Sequence, residues 1–180
     1  MKKVLILLFL ASSYVAASQS REVKKMSFEF GSGYSFAAAK NTDTEVKGLF
    51  GGYFEVRYNL EHMPVDLGLH LGITGTERTA LYYLIPDMPG YITENFLSFS
   101  TLTVGDYVFN RGRKVSPFVG MGVGVSFSNT TAIFNEGYVV TGTFMPRIGV
   151  RFLNHITLSL DYQVIHKDYS HANVRFGFYF

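Results

Sequence analysis

The chain has 180 residues, of which 47% are hydrophobic, 16% aromatic and only 17% charged, and it contains 18 Gly and no Cys. This composition excludes a disordered or collagen-like chain. The absence of Cys excludes disulfides, thiol catalysis, Cys-ligated zinc and a lipid-modified N-terminal Cys. The mean hydropathy of +0.14 is too low for a bundle of membrane helices, but it fits a chain whose residues alternate between lipid and water.

The start of the chain has the pattern of a secretory signal. Lys2 and Lys3 precede an apolar run at 4–10, and small residues follow it. Cleavage after Ala17 divides the chain into a signal peptide at 1–17, a short polar leader at 18–25 and one domain at 26–180. The mature chain then carries 14 basic and 14 acidic residues. Its charge therefore gives no support for nucleic-acid binding.

Eight runs of period-two alternation follow the leader, and this alternation is typical of β-strands. After the signal, no stretch approaches the ~20 apolar residues of a membrane helix. In chain order the runs cover 26–36, 49–60, 65–75, 92–109, 116–127, 139–152, 155–165 and 172–180. The fourth run is irregular, because Leu102 and Val104 fall on the opposite parity from Leu97 and Phe99. In the sixth run, Pro146 lacks the N–H that a ladder needs. A bulge would account for each irregularity.

The polar parity of these runs is rich in Gly, with Arg, Asp, Glu and Tyr between, whereas a water-facing sheet is rich in Lys, Thr and Glu. Small and charged side chains suit the narrow interior of a barrel of about eight strands. Short connections alternate with longer ones at 37–48, 76–91 and 128–137, as periplasmic turns and external loops do. The pattern predicts an all-β fold, an eight-stranded antiparallel up-and-down transmembrane β-barrel with both termini in the periplasm.

Aromatic residues concentrate at the predicted periplasmic strand ends, where an interfacial girdle is expected. The girdle comprises Phe28, Phe30, Tyr58, Tyr107, Phe109, Phe152, Phe178 and Phe180. The last run also closes on a terminal Phe, with Val174, Phe176, Phe178 and Phe180 on one parity. This ending is similar to the C-terminal signal that the barrel assembly machinery reads in outer-membrane barrels.

With the signal sequence and the eight strands, residues 24–180 resemble the small OmpA/OmpX-type barrels, in the outer membrane protein beta-barrel domain group that includes porin-family proteins. The resemblance implies the outer membrane of a Gram-negative bacterium, reached through a cleaved signal peptide. The partners it implies are outer-membrane lipid, and the barrel assembly machinery and periplasmic chaperones during biogenesis. It implies a monomer, and location and fold rather than an activity.

Charged side chains of both signs on the polar parity form the candidate site. They are Glu29, Glu55, Arg57, Asp66, His70, Arg147, Arg151, Asp161 and Arg175, and Asp106 joins them if it faces inward. Because an eight-stranded barrel has no water-filled bore, we expect a salt-bridged plug that closes the lumen of a protein with a structural or surface-interaction role. A selectivity pathway for ions or small solutes is the functional alternative.

Two other functions remain open. An apolar segment in the connection 76–91, made of Leu81, Tyr82, Tyr83, Leu84 and Ile85, is a candidate for contact with a partner or an apolar ligand. It supports a narrow conduit or binding site for small apolar molecules at the barrel mouth. A lipid-modifying barrel enzyme is the other alternative. The five His come with no nucleophile or oxyanion arrangement, so we expect no catalytic residues, no metal and no cofactor.

Overall fold

The computed structural model describes residues 24–37, 44–61, 63–85, 88–132, 135–153, 155–165 and 170–180. The strands in these ranges are β1 (Met26–Ala37), β2 (Thr44–Gly48), β3 (Phe50–Asn59), β4 (Val65–Ile85), β5 (Met88–Val108), β6 (Val115–Ala132), β7 (Asn135–Phe152), β8 (Ile156–Gln163) and β9 (His171–Tyr179). No helix in the described ranges is long and apolar enough to cross a bilayer. The predicted signal at 1–17 and most of the leader lie outside the described residues.

The strands form one closed antiparallel sheet. Around the wall the order is β1, β3, β4, β5, β6, β7, β8 and β9, and β9 pairs with β1 to close it. β2 lies beyond the end of β3 and pairs with β4, in a register one residue different from that of β3 with β4. β2 and β3 are therefore two segments of one continuous strand, separated by a β-bulge at Leu49. The predicted eight-stranded antiparallel up-and-down barrel is confirmed.

The polarity of the two faces of the wall is the reverse of that in a soluble barrel. Outward side chains are aliphatic or aromatic, and Leu69 and Val123 are 45% and 53% exposed. Inward side chains between them are buried and mostly polar. The aromatic residues at the strand ends predicted to lie on the periplasmic side pack on one another, with ring centroids 5.7 Å apart for Phe30 and Phe180 and 4.9 Å apart for Tyr107 and Phe109. Such rings suit the interface between lipid and water.

β5 keeps one parity along the wall, so the bulge predicted for the fourth run is wrong. Its pairing with β6 runs from Asn95 to Val108 without a shift in register. Leu102 and Val104 face the interior and are buried against Met145. The β6 residues opposite them are Gly124 and Gly122. These glycines make room for the aliphatic side chains from β5.

At Pro146 the ladder between β7 and β8 lacks one backbone hydrogen bond, which we call the missing rung, and the strand has no bulge. The register between β7 and β8 is the same on both sides of it, with Arg147 opposite Asp161 and Phe144 opposite Val164. Phe144 exchanges both backbone bonds with Val164. Backbone groups alternate in direction along a strand, so the nitrogen of Pro146 also points at β8, where it has no hydrogen to donate. The ladder with β6 continues through Pro146 unbroken.

Strands replace most of the three predicted long loops. β4 and β5 have 21 residues each, and β6 and β7 have 18 each, whereas about 9–11 suffice to cross a bilayer. Their outer parts, at 76–85, 88–96, 128–132 and 135–143, pair with one another and with β2. We call this five-stranded extension the projecting sheet. It leaves the barrel at the end opposite Lys24 and Phe180, the first and last described residues.

Candidate functional site

The candidate site is the set of charged side chains inside the barrel. The structure places all nine predicted residues there, each no more than 5% exposed: Glu29, Glu55, Arg57, Asp66, His70, Arg147, Arg151, Asp161 and Arg175. Asp106, whose direction the irregular fourth run left open, also faces inward and is 1% exposed. Strand alternation accounts for the shared direction of these side chains, because each lies on the inward parity of its strand.

Two pairs of carboxylates face each other directly across neighbouring strands. Glu29 is opposite Glu55, and Asp66 is opposite Asp106. Like charges in this position repel each other. Each pair shares one arginine, because Arg57 contacts Glu29 at 3.0 Å and Glu55 at 2.8 Å.

Arg151 bridges the second carboxylate pair as Arg57 bridges the first, with contacts of 2.6 Å to Asp66 and 3.1 Å to Asp106. One guanidinium offers several donors in a planar fork, so it neutralises two carboxylates at once. The repeated arrangement makes each carboxylate pair dependent on an arginine from the inward face of the wall.

Arg147 joins the two carboxylate pairs across the interior. It binds Asp106 in bidentate fashion, through two contacts of 2.7 Å, and reaches Glu55 at 2.5 Å. Glu55 lies on β3 and Arg147 on β7, and three strands separate β3 from β7 on one side and three on the other side of the wall. Their contact therefore spans the lumen from one wall to the opposite one.

A third group of polar side chains extends this network. Arg175 binds Asp161 at 2.8 Å and donates to Nε2 of His70 at 2.9 Å. Because arginine only donates, that nitrogen of His70 accepts, and Nδ1 carries the proton that is donated to Glu55 at 2.7 Å. Asp161 also accepts from Asn173 at 2.7 Å. Glu55 thus contacts Arg57 and Arg147 directly and is linked to Arg175 through His70.

Aromatic rings pack against the guanidinium groups. Arg151 lies 5.0 Å from the ring centroids of both Phe118 and Tyr179, and Arg175 lies 5.2 Å from that of Tyr53. These distances are within the range of cation–π attraction. Tyr53 also donates to Glu29 at 2.6 Å. A Cβ at Gly177 would lie 2.2 Å from the Tyr53 hydroxyl, so the Tyr53 side chain fits in the interior only because residue 177 on β9 is glycine.

Sequence reasoning missed Arg111, which closes the periplasmic end of the interior. It donates to the carbonyl oxygens of Leu60 at 2.5 Å and Met63 at 2.7 Å, and it pairs with Asp66. The contact joins two turns that are 48 residues apart in the chain, and no local pattern signals it. At the same rim Lys25 pairs with Glu61 at 2.8 Å, and this hydrogen bond raises the pKa of Lys25.

The other predicted residues lie away from the interior. The terminal residues Val174, Phe176, Phe178 and Phe180 point outward and are 40–51% exposed. Leu81, Tyr82, Tyr83, Leu84 and Ile85 belong to β4 in the projecting sheet, and their side chains lie outside the described part of the chain. The described residues contain no group of three or more His, Asp or Glu arranged to hold a metal ion.

Solved structures of small outer-membrane barrels are similar to this chain. OprG from Pseudomonas aeruginosa is 12% identical, with a TM-score of 0.56, and the match covers 91% of this chain and 99% of that one. Ail, the attachment invasion locus protein of Yersinia pestis, is 15% identical, with a TM-score of 0.54 and coverage of 88% and 100%. Neisserial surface protein A is 11% identical, with a TM-score of 0.54 and coverage of 87% and 96%.

These identities show a shared fold and no more. A search of curated proteins found no match. A family model described as outer membrane protein beta-barrel domain matches residues 5–180, almost the whole chain, and it agrees with the closed barrel. The chain belongs to the outer membrane protein beta-barrel domain family, whose members lie in the outer membrane of Gram-negative bacteria.

Proposed function

We propose that this protein is a closed, non-catalytic outer-membrane barrel that presents an extended β-sheet outside the cell for contact with other polypeptides. The observation that carries the proposal is the projecting sheet, which continues the strands well past the membrane. A cleaved signal peptide, passage by periplasmic chaperones and insertion by the barrel assembly machinery as a monomer complete the proposal. The surrounding outer-membrane lipid is the remaining partner.

The packing of the interior supports a closed lumen. Arg147 and Glu55 cross it, and Arg175 with His70 crosses it again between β9 and β4. Beside them, Leu102, Val104 and Met145 fill the space near β5 and β7. A cavity of about 10 Å³ next to Ser35, Thr74, Asn173 and Arg175 has room for about one water molecule. Hydrated ions need a wider path than this.

Planar-bilayer recording tests the closed lumen. We expect the purified protein, reconstituted at several protein-to-lipid ratios, to give no steady open-channel current, because the charged side chains that cross the lumen are paired with one another. A trimeric porin added afterwards to the same membrane shows that the bilayer reports channels. Reproducible single-channel steps from this protein alone would contradict a sealed interior.

Within the described residues, the outer part of β7 forms an edge of the projecting sheet on the side of β8. β7 pairs with β6 along its whole length, but with β8 only from Phe144 to Phe152. Among the residues that the structure describes, none pairs with 135–143 on the β8 side. By alternation from Phe144, the N–H and C=O groups of Val140 and Gly142 point to this side. Val140 is 61% exposed.

An extended segment of another protein is the partner that such an edge suits. Strand addition gives affinity through the row of main-chain groups and selectivity through alternate side chains. A second copy of the chain fits poorly. Two barrels in one membrane share an orientation, so their β7 strands run the same way and, at a tilt of about 40° each, cross at about 80°. The edge therefore favours a separate polypeptide over self-association.

A strand-forming peptide tests this edge. We use a fluorescein-labelled peptide of about ten residues with alternating Thr and Val, and measure its fluorescence polarisation with the full chain in lipid nanodiscs. Val140→Pro removes an N–H that points to this edge, and edge strands tolerate proline at such positions. We expect Val140→Pro to weaken binding about tenfold, because a main-chain bond is lost and the proline ring obstructs pairing.

Val140→Thr is the matched control, because it keeps both the N–H and the branched shape. We expect it to bind the peptide as the native chain does, and all three proteins to show the shifted gel mobility of folded barrels. A native chain that does not bind the peptide, or a Val140→Pro variant that binds it equally well, would rule out strand addition at β7.

A further inference from the structure

The missing rung at Pro146 lies in an apolar groove on the outer face of the wall. The groove has a volume of about 380 Å³, which lies within the range of sites for small ligands. Its outward side chains come from four consecutive strands: Val119, Pro146, Ile148, Leu160, Tyr162 and Ala172. Four strands at about 4.8 Å spacing make it about 14 Å wide.

Compact residues create the groove between bulkier neighbours. Ala172 holds an outward position on β9, where the next outward positions are Val174 and Phe176. Pro146 cannot draw β8 closer, because it supplies no hydrogen bond to Tyr162. The depression is therefore a consequence of these particular residues and not of barrel curvature alone.

The position of the groove along the membrane normal determines which molecules are able to fill it. Pro146 lies six residues from Phe152, the periplasmic end of β7, which corresponds to about 15 Å along the membrane normal at about 3.3 Å per residue and a tilt of about 40°. The apolar band of such barrels is about 25 Å tall, so the groove opens into hydrocarbon. Arg147 and Asp161 border it, but their side chains are turned inward and are 5% and 3% exposed.

We propose that this groove is a binding site for one acyl chain of a membrane lipid, seated against the gap between β7 and β8. The site is apolar, concave and open only to hydrocarbon, and acyl chains are the abundant molecules at that depth. A seated chain packs against the wall where the hydrogen-bond ladder is interrupted and fills space that no protein atom occupies.

Photolabelling in vesicles tests the site. The full chain is folded into phosphatidylcholine vesicles that contain a phosphatidylcholine with a diazirine at the end of one acyl chain, and adducts are mapped by mass spectrometry after irradiation. We expect adducts on β7 and β8 around Ile148 and Leu160 to exceed those around Leu69 several-fold, because a seated chain stays longer than a passing one.

Two matched variants make the test specific to the groove. Ala172→Leu fills it, and we expect the adducts around Ile148 and Leu160 to fall several-fold. Val174→Leu adds one carbon to the next outward position on β9 and should leave them unchanged, with both variants folded by gel mobility. Labelling that is even around the barrel, an Ala172→Leu variant labelled like the native chain, or links between two protein copies at the groove would each overturn the proposal. None of these outcomes depends on the β7 edge.

Discussion

Glu55→Ala should lower the free energy of unfolding by about 3–5 kcal/mol, the cost of breaking a buried ion pair and leaving its partner uncompensated. Glu55 is 1% exposed and contacts Arg57, Arg147 and His70. Removal of its carboxylate takes the acceptor from two nitrogens of Arg57 and from one each of Arg147 and His70, inside the barrel. The free energy of unfolding is measured by reversible urea unfolding of the protein from phospholipid vesicles, with far-UV circular dichroism as the signal.

Glu61→Ala is the matched control for Glu55→Ala. Glu61 pairs with Lys25 in the solvent at the periplasmic rim, and exposed pairs contribute little to stability because water screens their charges. The double variant Glu55→Ala/Arg147→Ala should be more stable than the sum of the two single effects predicts, by about 0.5–3 kcal/mol. If Glu55→Ala and Glu61→Ala had equal effects, the interior network would not hold the walls together.

The barrel wall could be predicted from sequence because the membrane imposes a local rule. Each residue of a crossing strand faces either hydrocarbon or the interior, so alternation of side-chain polarity marks both the strand and its direction. On β3 this alternation predicted that Glu55 and Arg57 face the interior and that Phe54 and Val56 face outward. The structure places all four on the expected sides. The rule needs no knowledge of neighbouring strands.

The same rule fails where its physical cause is absent. Outside the membrane, water lies on both faces of a strand, so the stretch 76–85 shows no alternation although its hydrogen-bonded register with β5 continues as far as Tyr83. Inside, Leu102 and Val104 are apolar because Gly124 and Gly122 on the adjacent strand admit them. Arg111 reaches Asp66 from a turn distant in sequence. Each failure depends on a partner that a single strand does not reveal.

The partners within the interior were beyond prediction for a related reason. Alternation indicates that Glu55 and Arg147 both face inward, but their contact depends on the stagger of strands on opposite walls. The direct opposition of Glu29 and Glu55 is also set by register. Local sequence makes that opposition look unfavourable. The shared Arg57 compensates the repulsion between the two carboxylates.

Val123→Arg should destabilise the barrel by about 2–4 kcal/mol, the cost of an arginine that faces lipid near the middle of the membrane. Val123 points outward from β6 and is 53% exposed. Its neighbours across the strands are Thr103 and Phe144, which also point outward. Tyr107 of the aromatic girdle pairs with Val119, so Val123 lies further into the membrane than the girdle. No carboxylate lies beside it to pair with the new charge.

Val140→Arg makes the same exchange on the outward parity of β7, and it separates the effect of the membrane from that of the substitution. Val140 is twelve residues from Phe152, or about 30 Å along the normal, which exceeds the apolar band of about 25 Å. Its arginine stays in water, and we expect a change of about 1 kcal/mol or less. Unfolding of both variants from phospholipid vesicles checks this difference. Equal effects of the two substitutions would mean that Val123 does not face hydrocarbon, or that the sheet at Val140 does not leave the membrane.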